Sequence, residues 1–164
     1  MTTHVTTLPR FRPLSPADRD ALKRISHAVG LFRDNEIQVA LEVFDASMVP
    51  GQRDYETLGA EVDGTLAGWI CWGPTPCTER TYDMYWIAVD PALHGHGVGS
   101  RLVEEMERRI AGKARLVVVE TSGRPDYRST EAFYLARGYR EAARVADFYA
   151  PGDDQVIYTK VLGT

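Results

Sequence analysis

Apolar residues recur at helical spacing early in the chain, gather in β-type runs in the middle, and fall at mixed spacings towards the end. Leu22, Ile25 and Val29 form one apolar face, and Gly30 closes it. Ser15 can cap this helix, Pro16 suits its first position, and Asp18 lies three residues past the cap. Asp34-Asn35 offers a second cap, followed by Ile37, Ala40, Leu41 and Phe44 and an end near Pro50-Gly51. Residues 16–48 therefore read as two helices in tandem, behind a short Pro-bounded strand at 9–14. Tyr55 to Val62 and Leu66 to Trp72 read as strands joined by Asp63-Gly64, a strong two-residue hairpin signal. Gly73-Pro74-Thr75-Pro76 breaks the pattern, and Thr81 to Val89 is a third strand.

A helix is predicted over Ser100 to Ala111, where Val98, Leu102, Met106 and Ile110 repeat every four residues. Leu116-Val117-Val118-Val119 reads as a strand buried on both faces, with Glu120 at its far end. Residues 121–127 read as a loop, Thr130 to Arg137 as a short helix, and Tyr139 to Phe148 and Gln155 to Val161 as the last strands. The order β-α-α-β-β-β-α-β-α-β-β implies a mixed, mostly antiparallel α/β sheet of about seven strands. It has one right-handed parallel β-α-β pair and helices on both faces.

Length and charge narrow the function. A chain of 164 residues predicts one domain over residues 9–164, with residues 1–8 as a disordered lead-in. A formal net charge of -4 and the lack of any basic run disfavour nucleic-acid binding. No apolar run is long enough to cross a bilayer, and the first residues do not read as a signal peptide. Cys71 and Cys77 form neither a disulfide framework nor a metal spacing, so a cytoplasmic protein with reduced thiols is expected. No metal is expected at His94 and His96, which lack a third ligand of fitting spacing.

The densest chemical signal is His94-Gly95-His96-Gly97-Val98-Gly99, set between a predicted strand and a predicted helix. Such a turn leaves free backbone N–H groups at the positive end of a helix, a ready cradle for phosphate or pyrophosphate. It is not a P-loop, because no Lys-Ser/Thr pair follows the last glycine. Nor is it a Rossmann turn, whose glycines are spaced G-x-G-x-x-G.

Val89 to Leu102 resembles the acyl-CoA signature of the GNAT superfamily of N-acyltransferases, matched by His94, Gly97 and Gly99. His94 stands where that signature has Arg or Gln. Ala132-Phe133-Tyr134-Leu135-Ala136-Arg137-Gly138-Tyr139 resembles the superfamily's late aromatic helix and Gly-aromatic turn. The resemblance implies that the central parallel strands splay to hold acetyl-CoA as cosubstrate. Ile87, Ala88 and Val89 would pair with its pantetheine, and His94, Gly95, His96, Gly97, Val98, Gly99, Ser100 and Arg101 would hold its pyrophosphate, with Phe133 also against the cofactor.

The resemblance further implies Tyr134 as the acid that protonates the departing thiolate. Glu120 is the candidate base, with Asp83 as the competing carboxylate. Trp69, Trp72, Tyr82, Tyr85 and Trp86 either line an acceptor pocket or belong to the core. Asp147 to Asp154 is expected to place three carboxylates and two aromatics in a loop, a rim that would favour a cationic amine. The implied function is N-acetyl transfer to the amine of a small molecule or peptide, in a chain able to form a homodimer. The alternative is a non-catalytic acyl-CoA-binding module of the same fold.

Overall fold

The computed structural model describes residues 7–163. The expected disordered lead-in therefore lies, for residues 1–6, outside the described residues, while Thr7 and Leu8 are irregular, exposed chain ahead of the first strand. The elements are β1 (Arg10–Arg12), α1 (Arg19–Val29), α2 (Asp34–Ser47), β2 (Glu56–Val62), β3 (Thr65–Pro74), β4 (Thr81–Val89), α3 (Val98–Ile110), β5 (Leu116–Ser122), α4 (Arg128–Ala136), β6 (Arg140–Ala150) and β7 (Asp153–Val161). One seven-stranded sheet carries the strands in the order β1-β2-β3-β4-β5-β7-β6. β4 and β5 run parallel, whereas β1–β2, β5–β7 and β6–β7 are antiparallel. This is the mixed, mostly antiparallel sheet that the element order implies. Among the described residues, no helix is long and apolar enough to cross a membrane.

Local chemistry explains several boundaries. A 3-10 turn at Pro16–Asp18 leads into α1, and the Ser15 backbone N–H donates to the Asp18 carboxylate at 2.8 Å. Asp63 and Gly64 both take positive φ, 50° and 78°, the primed turn whose twist matches a hairpin. At α2 the capping differs from expectation. The helix begins at Asp34 itself, and the Arg33 N–H donates to the Glu36 carboxylate at 2.6 Å.

The chain divides into two compact units. The first runs to Cys71 and includes Trp86–Met106, and the second comprises Trp72–Tyr85 and Glu107 onward. The first is built on the two tandem helices. Leu22 and Ile25 of α1, Ile37, Leu41 and Phe44 of α2, and Trp69 of β3 form one buried cluster. Phe44 meets Trp69 edge-on at 6.2 Å, the arrangement the aromatic quadrupoles favour. The Arg12 guanidinium binds both Asp18 and Glu61, and so ties β1 to the start of the helical pair and to β2.

The second unit holds the last strands. Its β5–β7 ladder runs from Leu116↔Val161 to Ser122↔Gln155. Four sequence-based expectations change here. β5 continues to Ser122, so Glu120 is not at its end, and a 3-10 turn at Pro125–Tyr127 replaces part of the expected loop. Only one face of β5 is fully buried, by Val117 and Val119, while Leu116 and Val118 are half-buried. β7 begins at Asp153, which draws two of the expected loop carboxylates into a strand.

Gly68 of β3 marks a close approach in the first unit. A Cβ there would lie 2.9 Å from the Ala88 carbonyl oxygen, 3.2 Å from Val89 and 3.3 Å from Leu102. The nearest atom is backbone, which cannot swing aside. Gly68→Ala is expected to destabilise the protein by about 1–3 kcal/mol through overpacking. Urea unfolding checks this, and an unchanged midpoint would show that β3 and β4 can separate at no cost.

Candidate active site

The glycine loop lies wholly in the first unit and is anchored at its entrance. The Asp90 N–H donates to the Ala67 carbonyl at 2.8 Å. The Asp90 carboxylate accepts from the Ala92 N–H at 3.0 Å and from Arg24 at 3.3 Å. Gly95 and Gly97 then take φ of 87° and 71°, and a Cβ at either would meet only open space. The constraint there is backbone conformation rather than crowding. α3 opens at Val98, where the apolar repeat begins and two residues before the expected start at Ser100, so Val98, Gly99 and Ser100 form its first turn. Its opening N–H groups have no carbonyl one turn back within the helix, which makes the loop a site for anionic oxygen. Arg101 is the residue whose N–H returns to the Gly97 carbonyl, at 3.0 Å.

His94 is exposed, whereas His96 is half-buried with a buried Nδ1 that has no hydrogen-bond partner among the described residues. The structure thus separates the two histidines, and the one the sequence signature singles out faces water. Ala88 is buried, and Ile87 and Val89 are half-buried.

The parallel β4–β5 ladder is short. It pairs Thr81 with Leu116, Tyr82 with Val117 and Asp83 with Val118, and ends there, while β4 continues to Val89 and β5 to Ser122. Strand backbone that leaves a ladder keeps strong donors and acceptors that must find other partners.

The second unit holds Tyr134 and Glu120. Tyr134, on α4, is 4% exposed, and its ring meets Phe133, Tyr139 and Tyr158 at 5.3, 5.7 and 5.5 Å. Its carbonyl accepts from both the Arg137 and Tyr139 N–H groups, at 3.0 and 3.1 Å, which closes the helix end around it. Burial, with Tyr158 and Tyr127 nearby, raises the Tyr134 phenol well above its ordinary range, so it stays protonated. Among the described residues its hydroxyl makes no hydrogen bond. Burial and the Glu107 carboxylate raise the Tyr139 phenol likewise. Tyr139 donates to Glu107 at 3.0 Å, and Lys160 holds the same carboxylate at 2.9 Å.

Glu120 is exposed on β5, and its carboxylate accepts from Gln155 at 3.1 Å. Arg124 turns instead to Asp126 and Asp153. The competing carboxylate, Asp83, accepts from the Thr75 hydroxyl at 2.7 Å. Trp69 and Trp72 are 0% and 1% exposed, so both belong to the core rather than to a pocket. Trp86 is half-buried against Phe32, ring centroids 4.5 Å apart.

The expected acidic rim is also corrected. Asp147 accepts from the Gly152 N–H, and Asp153 is buried against Ser122 and Arg124. Asp154 accepts from the Asp147 N–H and pairs with Arg144. Asp147 and Asp154 hold the β6–β7 hairpin together, and Asp153 ties the start of β7 to the end of β5. Cys71 is fully buried, which pushes its thiol up to about 12 and leaves it un-ionised at neutral pH.

A model of the acetyltransferase (GNAT) domain matches residues 53–141, more than half of the chain. The chain belongs to the GNAT acetyltransferase family. A solved structure assigned to the GNAT family, from Desulfovibrio desulfuricans, is 36% identical, with a TM-score of 0.89 over 94% of this chain and 99% of that one. A Salmonella typhimurium structure described as an acetyltransferase with its cofactor acetyl-CoA is 19% identical and shares the fold, with a TM-score of 0.73 over 96% of each chain. The L-2,4-diaminobutyric acid acetyltransferase of Nocardia farcinica is 29% identical over 89 residues, 54% of this chain and 46% of that protein. The chain spans less than half the length of the curated relatives it matches.

Family membership accounts for the order of elements and for the glycine turn. Sequence reasoning missed Gln155, Glu107 and Lys160, whose contacts depend on strand register and on helix packing rather than on any local motif.

The raised phenols predict how stability depends on pH. An unfolded tyrosine ionises near pH 10, whereas Tyr134 and Tyr139 keep their protons to higher pH in the fold. The folded state then holds more protons than the unfolded one, so stability falls as pH rises above about 10. Urea midpoints across that range should fall, and Tyr139→Phe should flatten the decline. An identical decline in the variant would show that Tyr139 does not contribute to it.

Proposed function

We propose that this GNAT protein moves an acetyl group from acetyl-CoA to a primary amine by direct attack in a ternary complex. The observation that carries transfer, rather than binding alone, is Tyr134: a clamped ring, a phenol kept protonated and a hydroxyl without a partner. Phe in its place would pack as well and donate nothing.

The residues present suit an acyl-CoA. The open turn at Gly95 and Gly97 and the start of α3 offer N–H groups to a pyrophosphate. The β4 backbone at Ile87, Ala88 and Val89 lies past the end of the β5 ladder and is suited to an amide-bearing chain. Ser100, Arg101 and Phe133 are further cofactor contacts in this reading. When bound, acetyl-CoA supplies the activated acyl group. Glu120 receives the amine proton, and the Tyr134 hydroxyl gives a proton to the departing sulfur. Cys71 has no part, since its thiol is buried and un-ionised.

The acceptor class is small-molecule or peptide amines. The relative that acts on L-2,4-diaminobutyric acid makes a diamino acid the first acceptor to try. Free thiols at Cys71 and Cys77 suit a reducing cytoplasm.

The test is thiol release from acetyl-CoA over a panel of L-2,4-diaminobutyrate, polyamines and an alanine-terminated peptide. Tyr134→Phe and Glu120→Gln should each lower kcat by roughly 10²-fold. Wild-type rates in both variants would remove these roles. No release with any amine, while acetyl-CoA still raises Tm, would make the protein a binding module. Gly97→Ala should weaken acetyl-CoA by about tenfold, because restoring a left-handed alanine costs about 1–2 kcal/mol. His94→Ala should shift that Kd by less than about twofold, as an exposed side chain contributes little on binding. Calorimetric titration of both variants checks the pair, and the reverse ranking would assign the grip to the histidine.

A further inference from the structure

We propose that Gln155 is the positioning residue for Glu120, a role that rests on the reading of Glu120 as the base. Gln155 is a polar side chain with only 6% exposure. A buried amide is costly unless its groups are bonded. Its Nε2 donates to Glu120 Oε2 at 3.1 Å.

Strand register makes this pairing. Glu120 stands opposite Ile157, and Gln155 lies two residues along β7, on the same face as Ile157. The two side chains are thus diagonal cross-strand neighbours, within reach of long side chains. The Gln155 backbone is fixed on both sides, opposite Ser122 of β5 and Val145 of β6. Just before it, Asp153 is bound to the Ser122 hydroxyl and paired with Arg124, which pins the start of β7.

Glu120 itself is exposed, and a free glutamate side chain samples several rotamers. The bond from Gln155 holds one carboxylate oxygen and leaves the other without a hydrogen-bond partner among the described residues. The amine proton passes to that second oxygen. The N–H bond breaks, the O–H bond forms and the electron pair stays on nitrogen. Gln155 exchanges no proton. It selects one carboxylate orientation from several, so it acts on the rate of transfer and not on the binding of either substrate.

The experiment uses Gln155→Met, which is close in shape, apolar and without a donor. Thiol release is measured with acetyl-CoA and the fastest amine of the panel above, in wild type, Gln155→Met, Glu120→Gln and the double variant. Gln155→Met should lower kcat by about tenfold, the effect of one hydrogen bond to a charged group. KM for both substrates should stay within about twofold. In the Glu120→Gln background the same change should lower kcat by less than about twofold, since the group it positions is already disabled. A KM rise with kcat intact, or an equal loss of kcat in both backgrounds, would overturn the positioning role. A lowered Tm in Gln155→Met does not alter this test, because a merely structural effect would persist in the double variant. If Glu120→Gln alone keeps the wild-type kcat, the base reading fails instead. Absence of thiol release with every amine overturns transfer itself.

Discussion

The early end of the parallel ladder governs what this sheet can do. β4 and β5 pair over only three positions, Thr81 to Asp83 with Leu116 to Val118. Two parallel strands that kept pairing to their ends would consume each other's donors and acceptors. By stopping at Asp83 and Val118, each strand keeps a stretch that the other does not pair, while β5 stays bonded to β7 and β4 to β3. An unpaired strand edge is ordinarily a liability. The glycine turn extends the same logic, since a helix start also presents donors the protein cannot satisfy within the helix.

The second unit meets a different constraint, that of keeping a phenol both immobile and unspent. Immobility comes from packing. The Tyr134 ring has three aromatic neighbours, and its carbonyl takes two N–H groups at the end of α4. Its neighbour Tyr139 directs its own hydroxyl to Glu107. Lys160 neutralises that carboxylate, so its charge is not left bare beside the ring cluster. Burial first, with Tyr158 and Tyr127 nearby, holds the Tyr134 phenol neutral.

What could be read from the sequence follows from range. The tandem helices, the Asp63-Gly64 hairpin and the glycine turn depend on periods and turn residues within a few positions, and they are found close to where expected. Glu120 shows the other case. Four consecutive apolar residues suggest a strand buried on both faces, with the glutamate as its costly end. The fold gives β5 one fully buried face and continues it to Ser122, so Glu120 is exposed mid-strand. Burial on the second face depends on what packs there, and a run of valines carries no information on that. Gln155 was unreadable for the same reason. Only the β5–β7 register brings it to Glu120, across 35 residues of sequence.

The β6–β7 hairpin shows why composition alone misleads about substrate charge. Asp147, Asp153 and Asp154 read as an acidic rim suited to a cationic amine, yet Asp147 and Asp154 bond within the hairpin and Asp153 bonds to Ser122 and Arg124. A carboxylate already bonded to backbone N–H groups or to arginine has little field left for a ligand. Asp147 takes a left-handed φ of 54°, and its carboxylate, by accepting from Gly152, closes a turn the backbone would not otherwise favour. Asp153 and Asp154 are paired with Arg124 and Arg144, which leaves them little field for a cationic acceptor. Neutralising any of them loosens the hairpin that delivers Gln155 to Glu120, so its effect on transfer runs through geometry and not through attraction of the amine.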